Sequence, residues 1–229
     1  MLSYSEFKAA LPAKKKASDA TWTRFVMRPI SLPLAWVLYR AGLSGNGASL
    51  AGLVAAVLGC ALLIHPNLVV ALCGVALLNL SALLDCVDGN IARAKRETGP
   101  DGEWIDAILA YTVYAFMPIA LAIHAALLVP KFAILLMALG AVASSTNIFV
   151  RLTYQKFITT HPESRNDDPD IGGIGKRIDN EIGLGGLMMP GLIIVVALQV
   201  EIFYLAFYAA MFSCVTAMVV FKRVIAIKY

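Results

Sequence analysis

Apolar runs too long for the interior of a soluble domain recur along this chain, and they decide its fold class before any motif does. They lie at 48–64, 68–84, 105–129, 132–150, 184–200 and 202–221. Each comes close to the roughly 20 residues that a helix needs to cross a hydrocarbon layer of about 30 Å. A backbone in lipid has to satisfy its own N–H and C=O groups, which a helix does within one segment. An all-α polytopic membrane protein with six transmembrane helices is therefore expected. A shorter apolar run at 29–43, with Arg28 before it and Arg40 inside it, reads together with 22–27 as an interfacial helix preceding the first crossing. With 59% of 229 residues hydrophobic and 15% charged, little is left for a separate soluble domain. The expected division is an N-terminal cytoplasmic and interfacial segment at 1–45 and a six-helix membrane domain at 46–229.

Basic residues gather on the cytoplasmic side of short membrane loops. With the N-terminus inside, six crossings leave Lys131 as the one basic residue outside, while Arg24, Arg28, Arg93, Lys95, Arg96, Arg151, Lys222 and the lysines at 14–16 stay inside. A seventh crossing at 29–43 would break that segregation. Among the acids only Glu201 falls outside, so chemistry belongs to the inner face. Span-flanking basic residues that meet anionic headgroups account for the net charge of +4, and nucleic acid is not an expected partner. Cys60, Cys73, Cys86 and Cys214 form no disulfide or zinc pattern. His65, His124 and His161 have no His or Cys partner at metal-binding spacing and receive no catalytic role. The opening residues lack the apolar core of a cleavable signal peptide.

The stretch DCVDGNIARAKRETGPDGEWIDAILAY at 85–111 sets acids against apolar runs, where charge is costly. Asp85 and Asp88 are three apart and share a helix face. If the chain reverses at Thr98-Gly99-Pro100, Asp88 and Asp106 reach the same depth on antiparallel helices, since each residue rises about 1.5 Å. Three converging carboxylates repel one another unless positive charge sits among them. All-oxygen ligands suit a hard divalent cation; an ion-pair network with Arg93, Lys95 and Arg96 is the structural alternative. Gly89 lets a ligand approach the backbone, Ala92 keeps the same face clear, and Arg93 is suited to a diphosphate.

Asp85, Asp88, Gly89, Ala92, Arg93, Gly102 and Asp106 fall in register with the signature of the CDP-alcohol phosphatidyltransferases, which this stretch resembles. The Asn46-to-Ser49 stretch also looks like the opening of that family's first span, and the family's six-span architecture with a preceding interfacial helix agrees with the segments above. The resemblance implies a reaction: an acceptor hydroxyl attacks the phosphorus of a CDP-alcohol, such as CDP-diacylglycerol, and CMP leaves, in phospholipid biosynthesis. It also implies two Mg²⁺ or Mn²⁺ ions held by Asp85, Asp88 and Asp106, a nucleotide site formed by Asp85, Gly89, Ala92 and Arg93, a homodimer, and residence in a prokaryotic cytoplasmic membrane with the active site cytoplasmic.

One position departs from that signature. Its last aspartate, assigned in the family as general base and metal ligand, is Ala110 here. An engineered substitution, a natural branch that uses another base, and a nucleotide-lipid-binding or scaffold protein without turnover all remain open. Asp101 and Glu103 are the nearest substitute acids. Two divalent ions against three carboxylates leave one positive charge unmatched, so the second ion should bind weakly until diphosphate arrives.

The polar stretch at 155–183 joins the fourth and fifth expected crossings on the inner side. Arg151, Arg165, Lys176 and Arg177 are the candidates for receiving a hydrophilic acceptor alcohol, phosphorylated or not. Arg151 leads them because it ends a span.

Overall fold

A computed structural model of the chain describes residues 2–11, 19–97, 99–161 and 181–226. Among these residues the fold is all-α, with eight α-helices: α1 (Tyr4–Ala9), α2 (Arg28–Arg40), α3 (Gly45–Leu63), α4 (Leu68–Lys95), α5 (Pro100–Leu128), α6 (Ala133–Thr160), α7 (Met189–Leu198) and α8 (Glu201–Ala226). A π-helical turn, Thr23–Met27, leads into α2, and a second one, Leu184–Met188, leads into α7.

Local sequence explains where the helices start and stop. The Ser44 hydroxyl accepts from Gly47 N–H at the start of α3, and the Asn67 carbonyl oxygen accepts from Val69 and Val70 at the start of α4. These side chains satisfy amide donors that no earlier turn can reach. Helix α4 ends where Arg96 turns left-handed (φ 58°), and α5 begins with Pro100, whose missing N–H costs nothing in a first turn.

Five long helices carry the membrane character. Gly45–Leu63, Leu68–Lys95, Pro100–Leu128, Pro130–Thr160 and Glu201–Lys222 are each long and apolar enough to cross a bilayer. The expected crossing at 184–200 is different: the apolar stretch Leu184–Leu198 is shorter, and Gly186 interrupts it with non-helical dihedrals (φ −110°, ψ −123°). Among the described residues, five helices rather than six thus have bilayer length. Within 22–43, α2 has 13 residues and rises only about 20 Å at about 1.5 Å per residue, too short for a crossing.

Small residues let the long helices meet. A side chain at Gly74 would come within 2.5 Å of Leu63 N and 2.6 Å of Gly59 O, and one at Gly140 within 2.5 Å of Ala122 Cβ. Those approaches clamp α3 to α4 and α5 to α6, as membrane helices do when packing rather than the hydrophobic effect joins them. One core runs through α3 to α8 and includes Leu78, Met117, Leu121, Leu136, Leu192 and Leu205. A second, under α2, gathers Phe7, Ala35, Ala48, Val87 and Ile91. It is through this smaller cluster that the interfacial helix is fixed to α4.

At one end of the bundle His124 Nδ1 lies 2.9 Å from the His65 carbonyl oxygen. A carbonyl can only accept, so Nδ1 carries the proton. His124 Nε2 then faces Glu201 Oε1 at 3.6 Å, with both side chains buried. Sequence spacing gave His124 no partner because its partners arrive from the α3–α4 connection and from the start of α8.

Candidate active site

Asp85, Asp88 and Asp106 meet at the other end, each offering an oxygen within 4.8 Å of the others. The arrangement follows from the helix register: two acids lie one turn apart on α4, and the third is nearly two turns inside α5 after the chain has reversed. Asp88 is buried, whereas Asp85 and Asp106 are exposed. Ser49 Oγ donates to Asp88 Oδ2 at 2.6 Å, so the start of α3 orients the buried carboxylate. Gly45 lets the two helices approach, since a side chain there would lie 3.3 Å from both Asp88 O and Ala92 Cβ.

The acids border a cleft of about 390 Å³, whose wall also includes Cys86, Gly89, Arg93, Ala110, Tyr114 and Arg151. Opposite oxygens around a small octahedral cation lie about 4.2 Å apart, twice a bond of about 2.1 Å. The three carboxylates suit a hard divalent cation in donor type, and a limit of 4.8 Å is a few tenths of an ångström wider than that span, a gap that small side-chain movements close.

Gly89 and Ala92 have distinct structural neighbours. The nearest atoms to a side chain placed on Gly89 are Arg93 Nη1 and Nη2, both at 3.0 Å, so the glycine makes room for the guanidinium to fold back beside the cleft. Ala92 packs against Gly45 and is not part of the cleft wall. Gly102 has no heavy atom within 4 Å of where a side chain would begin. Ala110 does line the cleft, four residues after Asp106 and on the same helix face. Asp101 and Glu103 are exposed and form no part of the cleft wall.

Arg151 reaches the same cleft from α6. Its guanidinium carbon sits 3.9 Å from the centre of the Tyr114 ring, and its Nε donates to Asn147 Oδ1 at 2.8 Å. Stacking and hydrogen bonding hold the planar group in place. Arg165, Lys176 and Arg177 lie outside the described residues.

Sequence reasoning missed much of the rest of the wall. Asp19, Thr23 and Arg28 line the cleft from the segment expected only to anchor the chain at the interface. Arg28 Nε and Nη2 donate to Asp19 Oδ2 and Oδ1 at 2.7 and 3.2 Å, and Arg28 Nη1 donates to Asn90 Oδ1 at 3.2 Å. Burial opposes the charge on Arg28, yet the hydrogen bonds and charge of Asp19 hold its pKa above the ordinary value. The end of the 155–183 stretch and the residues that follow it are drawn to this wall: Thr23 Oγ1 donates to Gly185 O at 2.6 Å, Tyr114 Oη accepts from Leu184 N–H at 3.2 Å, and Glu181 accepts from Thr21 N–H at 3.0 Å. Polar residues placed at helical spacing inside the signature, Asn90 above all, were the available signal.

Residues 44–167 match the family model described as CDP-alcohol phosphatidyltransferase. That range spans more than half of the chain and includes all three clustered aspartates, Ser49 and Arg151, whereas Asp19 and Arg28 precede it. No curated protein matches the chain.

Proposed function

Since the chain belongs to the CDP-alcohol phosphatidyltransferase family, we propose that it transfers a substituted phosphate from a CDP-alcohol, CDP-diacylglycerol in particular, to a hydrophilic alcohol, releasing CMP in phospholipid synthesis. The observation that carries this reading is the convergence of Asp85, Asp88 and Asp106 within 4.8 Å beside a cleft that Ala110 and Arg151 also line.

Asp85, Asp88 and Asp106 would hold two Mg²⁺ or Mn²⁺ ions. Such ions neutralise the diphosphate and the charge that develops on the leaving CMP. Ser49 fixes Asp88 through its hydrogen bond, which limits the reorganisation needed when ligands bind. Gly89 and Arg93 form the diphosphate-facing wall. Arg151, held flat against Tyr114, receives the acceptor and favours one that bears phosphate. Three carboxylates against two divalent ions leave a positive excess, so the anionic donor strengthens binding of the second ion.

A groove of about 460 Å³ adjoins the cleft at Met27 and is lined by Trp22, Ile30, Leu72, Leu83 and Ile193 among others. Its apolar wall supports a lipid-linked donor over a CDP-linked polar alcohol. The short stretch Leu184–Leu198 completes a sixth crossing in this reading, the interfacial segment at 1–45 precedes the membrane domain at 46–229, and the active unit is a homodimer with its site facing the cytoplasm.

Ala110 supplies no proton acceptor. The acceptor hydroxyl consequently meets the donor without a positioned base, and turnover by this chain is slow. That same alanine favours a second reading, a nucleotide-lipid-binding protein without turnover. CMP release from CDP-diacylglycerol with Mg²⁺ or Mn²⁺ and a panel of alcohols tests both, with the chain and its Ala110→Asp variant compared. Release by the variant above that of the unaltered chain supports an enzyme framework lacking its base. Silence from both, with CDP-diacylglycerol still bound, supports the binding protein.

A further inference from the structure

Two guanidinium groups converge on a single oxygen. Arg28 Nη1 donates to Asn90 Oδ1 at 3.2 Å and Arg93 Nη2 donates to it at 3.0 Å, so the two like-charged heads stand side by side at the cleft wall. Asn90 is buried, and its amide nitrogen donates to Ser31 Oγ at 3.3 Å, which fixes the carboxamide and with it both donors.

The two guanidinium groups differ in their contact with acids. Asp19 forms a two-point ion pair with Arg28, whose side chain is only 16% exposed. No acid stands within ion-pair distance of Arg93 among the described residues, and Arg93 Nε is buried with no hydrogen-bond partner there. Asp19, Asp85 and Asp88 stand close enough to act on the pair, yet the two heads still repel each other in a partly dehydrated wall, and a bound anion relieves that repulsion. Arg28 spends Nε–H and one Nη2–H on Asp19 and one Nη1–H on Asn90, leaving one N–H on each terminal nitrogen. A guanidinium pinned in this way has lost its rotational freedom before any ligand arrives, which favours planar two-point recognition of phosphate oxygens.

We propose that Arg28, contributed by the interfacial helix, binds the phosphate oxygens of the ligand in the cleft jointly with Arg93, and that Asp19 is the positioning residue that aims it. This rests on the reading that the cleft receives a CDP-linked diphosphate, and it gives the interfacial segment a part in ligand recognition. Arg28 lies outside the family-matched range of 44–167, so the inference concerns this chain's own N-terminal segment.

The test is binding by the full-length chain in detergent with Mn²⁺ present, titrated separately with CMP, CDP-diacylglycerol and inorganic pyrophosphate, alongside thermal unfolding. Arg28→Gln is expected to lose roughly 10- to 100-fold in affinity for all three, the loss that follows from removing a charge-assisted hydrogen bond. Arg28→Lys keeps the charge but loses the fork, and is expected to recover only part of that affinity. Asp19→Asn preserves the shape of the pair and should weaken the same ligands by a smaller factor. Unchanged affinities with a lowered unfolding temperature in Arg28→Gln and Asp19→Asn would overturn the proposal and reduce the pair to a tether between α2 and α4. An unaltered chain that binds none of the cytidine ligands would overturn the family reading of the cleft itself, and the Arg28 assignment with it.

Discussion

The two ends of the helix bundle treat buried polarity in opposite ways. At one end His124 and Glu201 face each other among apolar helices, and the His65 carbonyl fixes the imidazole proton on Nδ1. At the other, three carboxylates, two neighbouring guanidinium groups and a stacked arginine open onto a cleft. The first arrangement is nearly closed and joins the α3–α4 connection, the end of α5 and the start of α8. The second gathers three carboxylates and three arginines around a shared cleft, which suits a ligand rather than a fold. Polarity enclosed among apolar helices ties chain segments together; polarity that lines a cleft points to chemistry.

Substitutions can break this contrast from either side. The largest effect is expected from Ala110→Asp, which adds a proton acceptor one helical turn beyond Asp106: CMP release should rise by about 10²- to 10⁴-fold, the usual contribution of general base catalysis. Equal rates would remove Ala110 from the explanation of slow turnover. In that restored background Asp88→Asn keeps the side-chain shape but not the charge, and CMP release should fall by roughly 10²- to 10³-fold. Ser49→Ala leaves the carboxylates in place and removes only the group that orients Asp88. Its Mn²⁺ affinity should drop by about 10- to 100-fold, as is usual when a hydrogen bond behind a metal ligand is lost, and titration of Mn²⁺ against both forms measures it.

The opposite end should respond in stability alone. Glu201→Ala removes the acid that faces His124 Nε2 at 3.6 Å and opens space at the buried start of α8, which should cost about 1–3 kcal/mol, read as a lower unfolding temperature in detergent. Glu201→Gln, which can still offer a donor to Nε2, should cost less. Neither should alter Mn²⁺ affinity. A change there as large as that of Ser49→Ala would mean that the two ends are coupled and the contrast is false.

Which parts of this were legible in the sequence follows from the range of each interaction. The convergence of Asp85, Asp88 and Asp106 was readable because helical rise and one reversal at Gly99-Pro100 determine it locally. The long helices were readable because lipid allows few alternatives to an apolar run of that length. The shortened stretch Leu184–Leu198 was passed over, although Gly183, Gly185, Gly186 and Pro190 are breaker residues, because the apolar residues among them kept the mean hydropathy of a crossing. The contacts of Arg28 with Asn90, Thr23 with Gly185 and His124 with Glu201 join residues from separate helices or distant connections, and no spacing rule reports which polar groups meet after packing. Gly89 shows a finer limit: its type signalled close approach, but only the structure shows that Arg93 is the group approaching.

The central claim is that the three aspartates form one divalent-metal site whose occupancy depends on the anionic ligand. Mn²⁺ binding to the detergent-solubilised chain, followed by electron paramagnetic resonance with and without CDP-diacylglycerol, tests it most directly in the unaltered chain and in Asp85→Asn, Asp88→Asn and Asp106→Asn. The expected result is saturable binding that tightens with the nucleotide lipid, is weakened by each of the three substitutions and is strengthened by Ala110→Asp. Binding that is indifferent to all three aspartates would contradict the account, leaving the cluster as a structural feature of the cleft wall.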